Sequence, residues 1–380
     1  MSAADIDLQE LTNLIKAWGK ALGFQQVGIC DLDVSQHREA LENWLAQGFH
    51  GDMQFFERNQ ELRLAPDLLH PGAVRAISVR MNYLPPDASF ARNLASSEKA
   101  YISRYALGRD YHKVLRKRLK QLADKIKQHC ASFDARPFVD SAPVLEHALA
   151  EKAGIGWTGK HSLTLNKEAG SYFFLGELLI NLPLPIDAPI EEGCGTCNAC
   201  ISICPTQAIV APYIVDATKC ISYLTIENDK AIPLEFRDAI GNRVYGCDDC
   251  QLICPWNKYA EITEEKDFFA RQVLHNRDLV TLFNWSEDEF LAHTEGSAIR
   301  RIGYRKWQRN LAVGLGNITD ASQIDFAIQA LKQAQATASE LLLEHINWAL
   351  TKLANTANKQ STRQTQRLIR SIEKGMPKHS

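Results

Sequence analysis

The spacing of the cysteines is the feature that most limits what this chain can fold into. The chain has 380 residues and ten cysteines, and most of the cysteines lie between Cys194 and Cys254. The run CGTCNACISICP has the pattern C-x2-C-x2-C-x3-C-P. In bacterial ferredoxins this pattern binds [4Fe–4S] clusters, and its fourth cysteine binds the other cluster of a pair. The run therefore predicts two [4Fe–4S] clusters.

The second run, GCDDCQLICPWN, has Val244 where its first cysteine belongs. Cys220 supplies the missing ligand in this interpretation. The predicted ligands of one cluster are Cys194, Cys197, Cys200 and the crossing Cys254, and those of the other are Cys220, Cys247, Cys250 and the crossing Cys204. The alternative is a zinc ribbon, which pairs two C-x2-C knuckles and does not need the compact triple run followed by Cys-Pro.

Composition and the apolar segments indicate a cytoplasmic protein without membrane contact. The chain is 45% hydrophobic and 23% charged. Its acidic first residues predict an amphipathic helix rather than a signal peptide. The longest apolar stretch is interrupted by Glu177 and Asn181 and is too short to span a bilayer. In a reducing compartment, closely spaced cysteines more often bind metal than form disulfides, and we expect the two outlying cysteines, Cys30 and Cys130, to be small buried residues.

Three sequence patterns follow one another along the chain. Strand-like runs such as AVRAISVRMNY and YFFLGELLI alternate with helical ones such as YHKVLRKRLKQLADKIKQHC, which predicts an α/β or α+β domain over residues 1–185. A proline-rich linker then leads into a ferredoxin-like module, residues 186–265. Residues 275–380 have helical periodicity only and predict an all-α, HEAT-like domain.

Two motifs in the first domain each allow more than one interpretation. GIGWTGKH contains G-x-G-x-x-G, but a helix precedes it and a predicted strand follows, which is the reverse of a nucleotide-binding motif. We interpret it as a glycine-rich turn that permits close backbone approach. Asp140 stands at a predicted strand end, just before a helix that starts near Pro143. Either Asp140 or Ser141 could cap that helix, or Asp140 could act as a general acid, and composition alone favours the cap.

Positive charge is concentrated in the C-terminal third. The net charge is −2, yet the tail from Asn355 onward is strongly basic and the segment IRRIGYRKWQRN has no acidic residue. The basic residues of that segment are Arg300, Arg301, Arg305, Lys306 and Arg309. An anionic macromolecular partner and a solvated helix face explain this pattern equally well.

Several stretches together resemble the epoxyqueuosine reductase family. They are FVDSAPVLEHALAEKAGIGWTGKHSL, the two cysteine runs and EGSAIRRIGYRKWQRNLAVGLGN, in the family's order. The resemblance implies an enzyme that reduces epoxyqueuosine to queuosine at the wobble position of tRNA, using cobalamin that receives electrons from the two clusters. The implied partners are the tRNA anticodon stem-loop and an external low-potential electron donor, and we expect a monomer.

The resemblance also assigns roles to individual residues. Asp140 becomes the proton donor, which reverses the preference for a helix cap. The implied cobalamin is base-off. Leu115 stands where the glycine of a D-x-H-x-x-G motif starting at Asp110 should be, so no histidine ligand is expected. Its predicted contacts, for which surface pairing or core packing is the alternative, are Arg63, Ser103, Asp140, Thr164, Leu175 and Ser222. A subset of the five basic residues, with the tail, is predicted to bind tRNA phosphates while a flipped base enters the pocket.

Two other functions fit parts of the sequence. A corrinoid reductive dehalogenase would share the redox chemistry, but the missing twin-arginine signal and the basic helical extension argue against it. A nucleic-acid-binding protein with structural clusters would share the cysteines and the basic segment. Transfer of electrons from the clusters to cobalt distinguishes it from the enzyme.

Overall fold

The computed structural model of the chain describes residues 7–355 and 362–377, which form two compact units. The first unit comprises the segments up to Leu84, Asp110–Cys197 and Tyr259–Asp267. The second comprises Pro85–Arg109, Asn198–Lys258 and the chain from Phe268 onward. The ferredoxin-like module from Asn198 and the C-terminal helices thus belong to one unit, so the three predicted segments describe sequence patterns rather than these units. No helix in the described ranges is long and apolar enough to cross a membrane.

The first unit is built on a four-stranded sheet in the order β1-β2-β7-β4. Its elements are α1 Leu8–Ala21, β1 Gln26–Cys30, α2 Arg38–Ala46, α3 Phe55–Arg58, α4 Gln60–Leu64, β2 Arg75–Asn82, α6 Tyr111–His129, β4 Ala135–Phe138, α7 Glu146–Lys152, β5 Trp157–Thr158, β6 Thr164–Leu165 and β7 Phe173–Ile180. All pairings in the sheet are antiparallel, and β2 and β7 pair from Arg75↔Ile180 to Asn82↔Phe173. The first unit is therefore α+β.

Helix α6 carries Tyr111 and His112 in its first turn and buries its apolar face. Its buried residues are Val114, Leu115, Leu119, Leu122 and Ile126, the positions at which the sequence predicts an apolar face. Asp110 caps the helix by accepting a hydrogen bond from the backbone N–H of His112. Gly176 in β7 lets α6 lie close, because a Cβ there would be 3.1 Å from Leu119 Cδ1. This packing fixes Tyr111 and His112 at the edge of the unit.

The glycine-rich turn is explained by contacts within the first unit. Gly154 has φ +69°, and a Cβ there would lie 2.5 Å from the carbonyl oxygen of Ala188. A Cβ on Gly156 would lie 2.2 Å from the carbonyl oxygen of Leu165, across the β5–β6 hairpin. Both positions need glycine because backbone packs directly on backbone, as the sequence interpretation expects.

The second unit combines the cysteine module with the C-terminal helices. Its elements are α5 Phe90–Ala95, β3 Tyr101–Ile102, α8 Ala199–Ile203, β8 Ile209–Ala211, β9 Ile214–Val215, α9 Ile221–Ile226, α10 Leu234–Ile240, β10 Arg243–Tyr245, α11 Asp249–Leu252, α12 Leu279–Phe283, α13 Glu287–His293, α14 Gly303–Gly316, α15 Ala321–Gln335, α16 Glu340–Ala354 and α17 Arg363–Gly375. Helix α14 is central and packs against α12, α16 and β10, with Trp307, Leu311 and Leu315 in the core. A HEAT-like classification of these helices stays a prediction.

Candidate iron–sulfur and acid–base sites

Five cysteine thiols of the second unit, those of Cys200, Cys204, Cys220, Cys247 and Cys250, lie near one another. Burial raises the pKa of Cys250, and the thiols of Cys220, Cys204 and Cys200 add to the effect because like charges repel. The pKa of Cys220 is also raised, first by burial and in part by Cys204. Burial, with Asp249 and Cys250, raises the pKa of Cys247. Cys204 and Cys200, both from the first run, thus lie near Cys250 of the second run, and the division of the cysteines between two clusters stays a prediction from spacing.

Such a group of thiols suits a cluster because closely spaced thiolates need cationic iron to offset their repulsion. Among the described residues, no three His, Cys, Asp or Glu side chains converge as one metal ion would require. The thiolates of a [4Fe–4S] cluster each bind a different iron, so they do not need to converge on a single point.

Backbone and hydroxyl donors point at two of these sulfurs. The backbone N–H of Ala208 donates to Cys204 Sγ at 3.2 Å. The N–H groups of Ser222 and Tyr223 and the Ser222 hydroxyl donate to Cys220, which partly offsets the effect of burial on its pKa. Hydrogen bonds to cluster sulfurs raise the reduction potential, since they stabilise added negative charge. Ser222, predicted as a cobalamin contact, thus lies against Cys220, a predicted cluster ligand.

The other cysteines of the module lie on short turns and helices. In the first unit, the N–H of Cys197 donates to the carbonyl oxygen of Cys194 at 3.1 Å. Lys160 Nζ holds this turn by donating to the carbonyl oxygens of Gly195 at 2.6 Å and Cys197 at 3.0 Å. In the second unit, Cys200 lies on α8, which packs against α11. The ligand set that contains Cys194 and Cys197 stays a prediction from spacing.

Asp248, between two cysteines, is a structural anchor that the sequence interpretation did not identify. Its carboxylate accepts hydrogen bonds from Tyr101 Oη at 2.9 Å, Ser103 Oγ at 2.5 Å and the backbone N–H of Arg104 at 3.1 Å. Burial raises its pKa. Ser103 is buried, and its hydroxyl already donates to Asp248, so this side chain supports the cysteine loop rather than pointing to an open surface.

The adjacent Asp249 forms a bidentate pair with Arg243. The Nε–Oδ1 and Nη2–Oδ2 distances are 2.8 and 2.7 Å, and both side chains are buried. Bidentate arginine–carboxylate pairs fix orientation as well as charge. Together, Asp248 and Asp249 hold the loop that presents Cys247 and Cys250.

Asp140 lies in a tight turn of the first unit, between β4 and α7. Its φ is +51°, a left-handed conformation that is uncommon for residues other than glycine. The N-cap of α7 is Leu145, which makes no side-chain capping bond. The helix-cap interpretation of Asp140 and Ser141 is therefore wrong. The Asp140 side chain is 58% exposed, which leaves it accessible to a substrate.

Two donors meet at one oxygen of the Asp140 carboxylate. Tyr111 Oη donates to Asp140 Oδ2, and His112 Nε2 lies 3.2 Å from the same atom. His112 Nδ1 lies 2.8 Å from Asp110 Oδ1. Burial alone would lower the pKa of His112, but hydrogen bonds and charge from Asp110 and Asp140 raise it to about 9. His112 therefore holds a proton at neutral pH.

Glu146 holds the turn from the other side. Its Oε1 accepts a hydrogen bond from the backbone N–H of Asp140 at 2.7 Å. Burial, reinforced by the charge of Asp140, raises the pKa of Glu146 to about 8. A neutral Glu146 at pH 7 avoids the repulsion of two adjacent carboxylates. Glu146 thus both positions Asp140 and retains a proton near it.

Arg63 is buried in the same unit and has an unused hydrogen-bond donor. Its guanidinium lies 4.3 Å from the centre of the Phe56 ring. Burial lowers its pKa, while Glu146 and Asp140 act in the opposite direction. Arg63 Nε has no hydrogen-bond partner among the described residues. A buried donor without a partner is costly, so this atom suits a ligand with an acceptor group.

The two remaining predicted cofactor contacts also lie in the first unit. Thr164 is buried, and its Oγ1 lies 2.6 Å from His147 Nδ1. Leu175 lies in β7, is half-buried and pairs with Arg80 of β2. His161, which sequence reasoning passed over, is buried, and its Nε2 has no partner among the described residues.

The five basic residues around α14 do not share one environment. Arg300, Arg301 and Arg305 are exposed. Arg301 pairs with Glu227 at 2.5 Å, and Lys306 pairs with Asp229 at 2.7 Å. These pairs reduce the positive charge that the two residues present at the surface.

Arg309 is buried, which corrects its assignment as a tRNA contact. Its Nη1 donates to the carbonyl oxygens of Asn228 at 2.7 Å and Lys230 at 2.6 Å, and its Nη2 donates to that of Leu224 at 2.7 Å. The guanidinium therefore satisfies buried backbone acceptors between α9 and α14. Its charge is unavailable to a phosphate.

The cysteine module is typical of an iron–sulfur oxidoreductase. A family model described as "4Fe-4S double cluster binding domain" matches residues 193–257, and one described as "Epoxyqueuosine reductase QueG, DUF1730" matches residues 63–141. Epoxyqueuosine reductase from Shewanella oneidensis is 58% identical over 376 residues, which cover 98% of this chain and 95% of the relative. The Escherichia coli K12 enzyme of the same name is 56% identical and covers 98% of both chains. The chain belongs to the epoxyqueuosine reductase family.

Solved structures agree with this assignment. An epoxyqueuosine reductase bound to an epoxyqueuosine-modified stem loop of tyrosine tRNA matches with a TM-score of 0.84 and 28% identity. The match covers 97% of this chain and 99% of that one. The Bacillus subtilis enzyme, described with its aspartate catalytic loop swung out of the active site, matches with a TM-score of 0.79, 28% identity and the same coverage.

Proposed function

We propose that this chain reduces epoxyqueuosine to queuosine at the wobble position of tRNA, in the cytoplasm where tRNA is modified. Relatives that are more than half identical along nearly the whole chain are named for this reaction. A similar solved structure holds an epoxyqueuosine-modified tRNA stem loop. The reaction consumes two electrons and two protons, opens the epoxide to an alkene and releases its oxygen as water.

The observation that carries the proposal is the surroundings of Asp140. Alkoxide is a poor leaving group at neutral pH, so the departing oxygen needs an acid within hydrogen-bond reach. Asp140 is exposed, held in a strained turn and in contact with two proton-bearing groups, Tyr111 and His112. The similar B. subtilis enzyme also carries an aspartate on its catalytic loop. We assign Asp140 as the group that delivers protons to the oxygen.

The neighbours of Asp140 explain how a carboxylate can serve as a proton donor at neutral pH. The Asp140 carboxylate need not store the proton itself, because two donors, Tyr111 Oη and His112 Nε2, meet at its Oδ2. The proton is held instead on His112, whose pKa is about 9, and it passes to the substrate oxygen through Asp140. Glu146 keeps the turn in place through the Asp140 N–H. The two protons that the reaction consumes thus come from several residues around Asp140 rather than from one residue.

Two [4Fe–4S] clusters would be held by the eight cysteines of the module. Cys204, Cys220, Cys247 and Cys250 would hold one cluster. Cys194, Cys197, Cys200 and Cys254 would hold the other. The clusters would carry single electrons from an external low-potential donor.

The residues of the first unit fit a cobalamin, because the side chains of that cofactor carry many hydrogen-bond acceptors. Arg63 Nε and His161 Nε2 are buried donors without partners, as amide or phosphate oxygens of such a group would require. Thr164 and Leu175 are further proposed contacts. Cobalamin bound there would supply a strongly reducing cobalt centre. The first unit's own residues would bind it and deliver protons.

The tRNA surface is proposed to include Arg300, Arg301, Arg305 and Lys306, without Arg309. Exposed basic side chains bind phosphates regardless of sequence and make the affinity salt-dependent. Arg305 is exposed and forms no ion pair among the described residues, so its positive charge is fully available to a phosphate.

Replacing Asp140 with asparagine tests the proposal. We expect conversion of epoxyqueuosine in tRNA to slow by about 100-fold or more, the usual effect of losing a general acid. Asp67→Asn, at an exposed position of the first unit, should keep wild-type activity. Both variants should retain iron and bound cobalamin. Near wild-type product formation by Asp140→Asn would show that another group protonates the oxygen.

A further inference from the structure

Helix α17 carries a stripe of four basic residues, Arg363, Arg367, Arg370 and Lys374, which we call the α17 stripe. Their spacing of four, three and four residues places them on one face, since an α-helix turns every 3.6 residues. All four are exposed, whereas Leu368 and Ile372 are buried on the opposite face. The stripe runs for about 16 Å at 1.5 Å per residue.

The stripe presents only positive charge. Among the residues that the structure describes, no carboxylate forms an ion pair with any of the four side chains. The one acidic residue of the helix, Glu373, is turned roughly 100° from Lys374 about the helix axis. The α17 stripe therefore differs from Arg301 and Lys306, which are paired with acids.

The location of α17 separates it from an ordinary solvated helix. Within the second unit, α17 packs against α5 and against α11, the helix that contains Cys250. Arg367 Nη1 also donates to Ser202 Oγ at 3.3 Å. Ser202 lies on α8 between Cys200 and Cys204. Helix α17 thus packs on α11, and Arg367 of the stripe contacts α8, the two helices that present predicted cluster cysteines.

We propose that the α17 stripe is the docking surface for an acidic protein that acts as a one-electron donor. The inference rests on the proposed function in one respect: the clusters must receive electrons from outside. A donor that binds α17 brings its own cofactor close to α8 and α11. Each encounter oxidises the donor by one electron and reduces one oxidised cluster by one electron. Two encounters therefore supply the two electrons that reduce one epoxide.

Charge complementarity suits this kind of partner. Electron-transfer complexes are usually small and transient, and they depend on electrostatic steering for fast association. A charged patch of one sign can raise association rates by about 10-fold to 1000-fold at low salt. RNA would also be attracted to such a stripe, and the sequence alone predicts that this tail binds tRNA. Contact with the helices that carry predicted cluster cysteines favours the redox partner instead.

The test measures cluster reduction rather than tRNA conversion. The holoenzyme with Arg363→Glu, Arg367→Glu, Arg370→Glu and Lys374→Glu is mixed anaerobically with reduced flavodoxin, an acidic carrier, and bleaching of the cluster absorbance is followed. We expect the second-order rate to fall by about 10-fold or more at low ionic strength and to lose most of its salt dependence. Reduction by photoreduced deazaflavin, a small donor, should be unchanged. The four glutamine substitutions should give a smaller loss in the same direction.

A matched control reverses the same amount of charge elsewhere. Arg116, Lys117, Lys120 and Lys127 are exposed on α6 of the first unit, and their change to glutamate should leave the flavodoxin rate within about 2-fold. Equal slowing by both sets would mean that net charge, not docking, controls the rate. An unchanged flavodoxin rate with weakened tRNA stem-loop binding would make the stripe an RNA surface. Either result would overturn the proposal, and neither depends on whether epoxyqueuosine is converted.

Discussion

The carboxylate of Asp140 depends on residues at the start of two helices. Tyr111 and His112 come from the start of α6, 29 and 28 positions earlier, and Glu146 comes from the start of α7. Each either donates to Asp140 or accepts from its backbone. The chemistry of this one residue is therefore a property of the turn and of two helix ends.

The pH dependence of the reaction should report on these neighbours. The pKa of His112 is raised to about 9 and that of Glu146 to about 8, so both groups are protonated at neutral pH and lose their protons as pH rises. We predict that the single-turnover rate falls on the alkaline side in two steps. His112→Gln should slow the reaction at neutral pH and remove the step near pH 9, whereas Glu146→Gln should leave that step in place.

Single-turnover rates across the alkaline range, at constant ionic strength, measure this effect. His129→Gln, at an exposed position at the end of the same helix, is the control and should keep both steps. If His112→Gln retained the step near pH 9, the proton reservoir would lie elsewhere.

Individual residues were predictable from sequence where the signal is local. Cysteine spacing is such a signal, since neighbouring ligands of a cluster are close in sequence. Whether Asp140 caps the helix was not predictable, because a capping aspartate and a catalytic one look alike in sequence before a helix. Arg309 was misassigned because charge says nothing about exposure, and the buried carbonyl oxygens that it satisfies belong to another part of the chain.

At the scale of elements, the crossing pattern depends on Cys220. This residue lies between the 3-10 turn Ala217–Lys219 and helix α9, where hydrogen-bond donors surround its sulfur. It lies 27 residues before Cys247, outside any compact run. If it is a ligand, its loss should affect one cluster and leave the other.

We predict that Cys220→Ala lowers the iron content from about eight to about four per chain after anaerobic reconstitution, because each cluster holds four irons. Cys130→Ala, at a buried cysteine outside the module, should keep the full iron content. Iron analysis and the electron paramagnetic resonance of the reduced protein measure both variants. Full iron content in Cys220→Ala would remove Cys220 from the ligand set.

Periodicity predicted the longer elements well and the sheet poorly. Strands β2 and β7 and helix α6 lie where the apolar patterns place them, because burial of a face leaves a period in the sequence. The order β1-β2-β7-β4 and its antiparallel pairing were not predictable, since partners such as Arg75 and Ile180 are far apart along the chain. The hairpin strands β5 and β6 have only two residues each, too few for a period.

At the scale of the whole molecule, the sequence patterns and the compact units follow different boundaries. Pro85–Arg109 precedes α6 in the chain but belongs to the second unit. The backbone N–H of Ala100 donates to the carbonyl oxygen of Arg277, and that of Tyr101 donates to the carbonyl oxygen of Asn242, both at 2.8 Å. Such long-range hydrogen bonds leave no periodic signal, so composition alone could not assign this segment. The second unit thereby holds Ser103 and Tyr101 against the Asp248 anchor.

The central claim is that the chain reduces epoxyqueuosine in tRNA with cobalamin and two clusters. The most direct measurement is mass spectrometry of nucleosides from epoxyqueuosine tRNA after anaerobic incubation with the reconstituted protein and a reductant, with and without cobalamin. We predict that epoxyqueuosine is replaced by queuosine only when cobalamin is present. Reduced clusters with unchanged epoxyqueuosine in the presence of cobalamin, or equal conversion without it, would contradict the account.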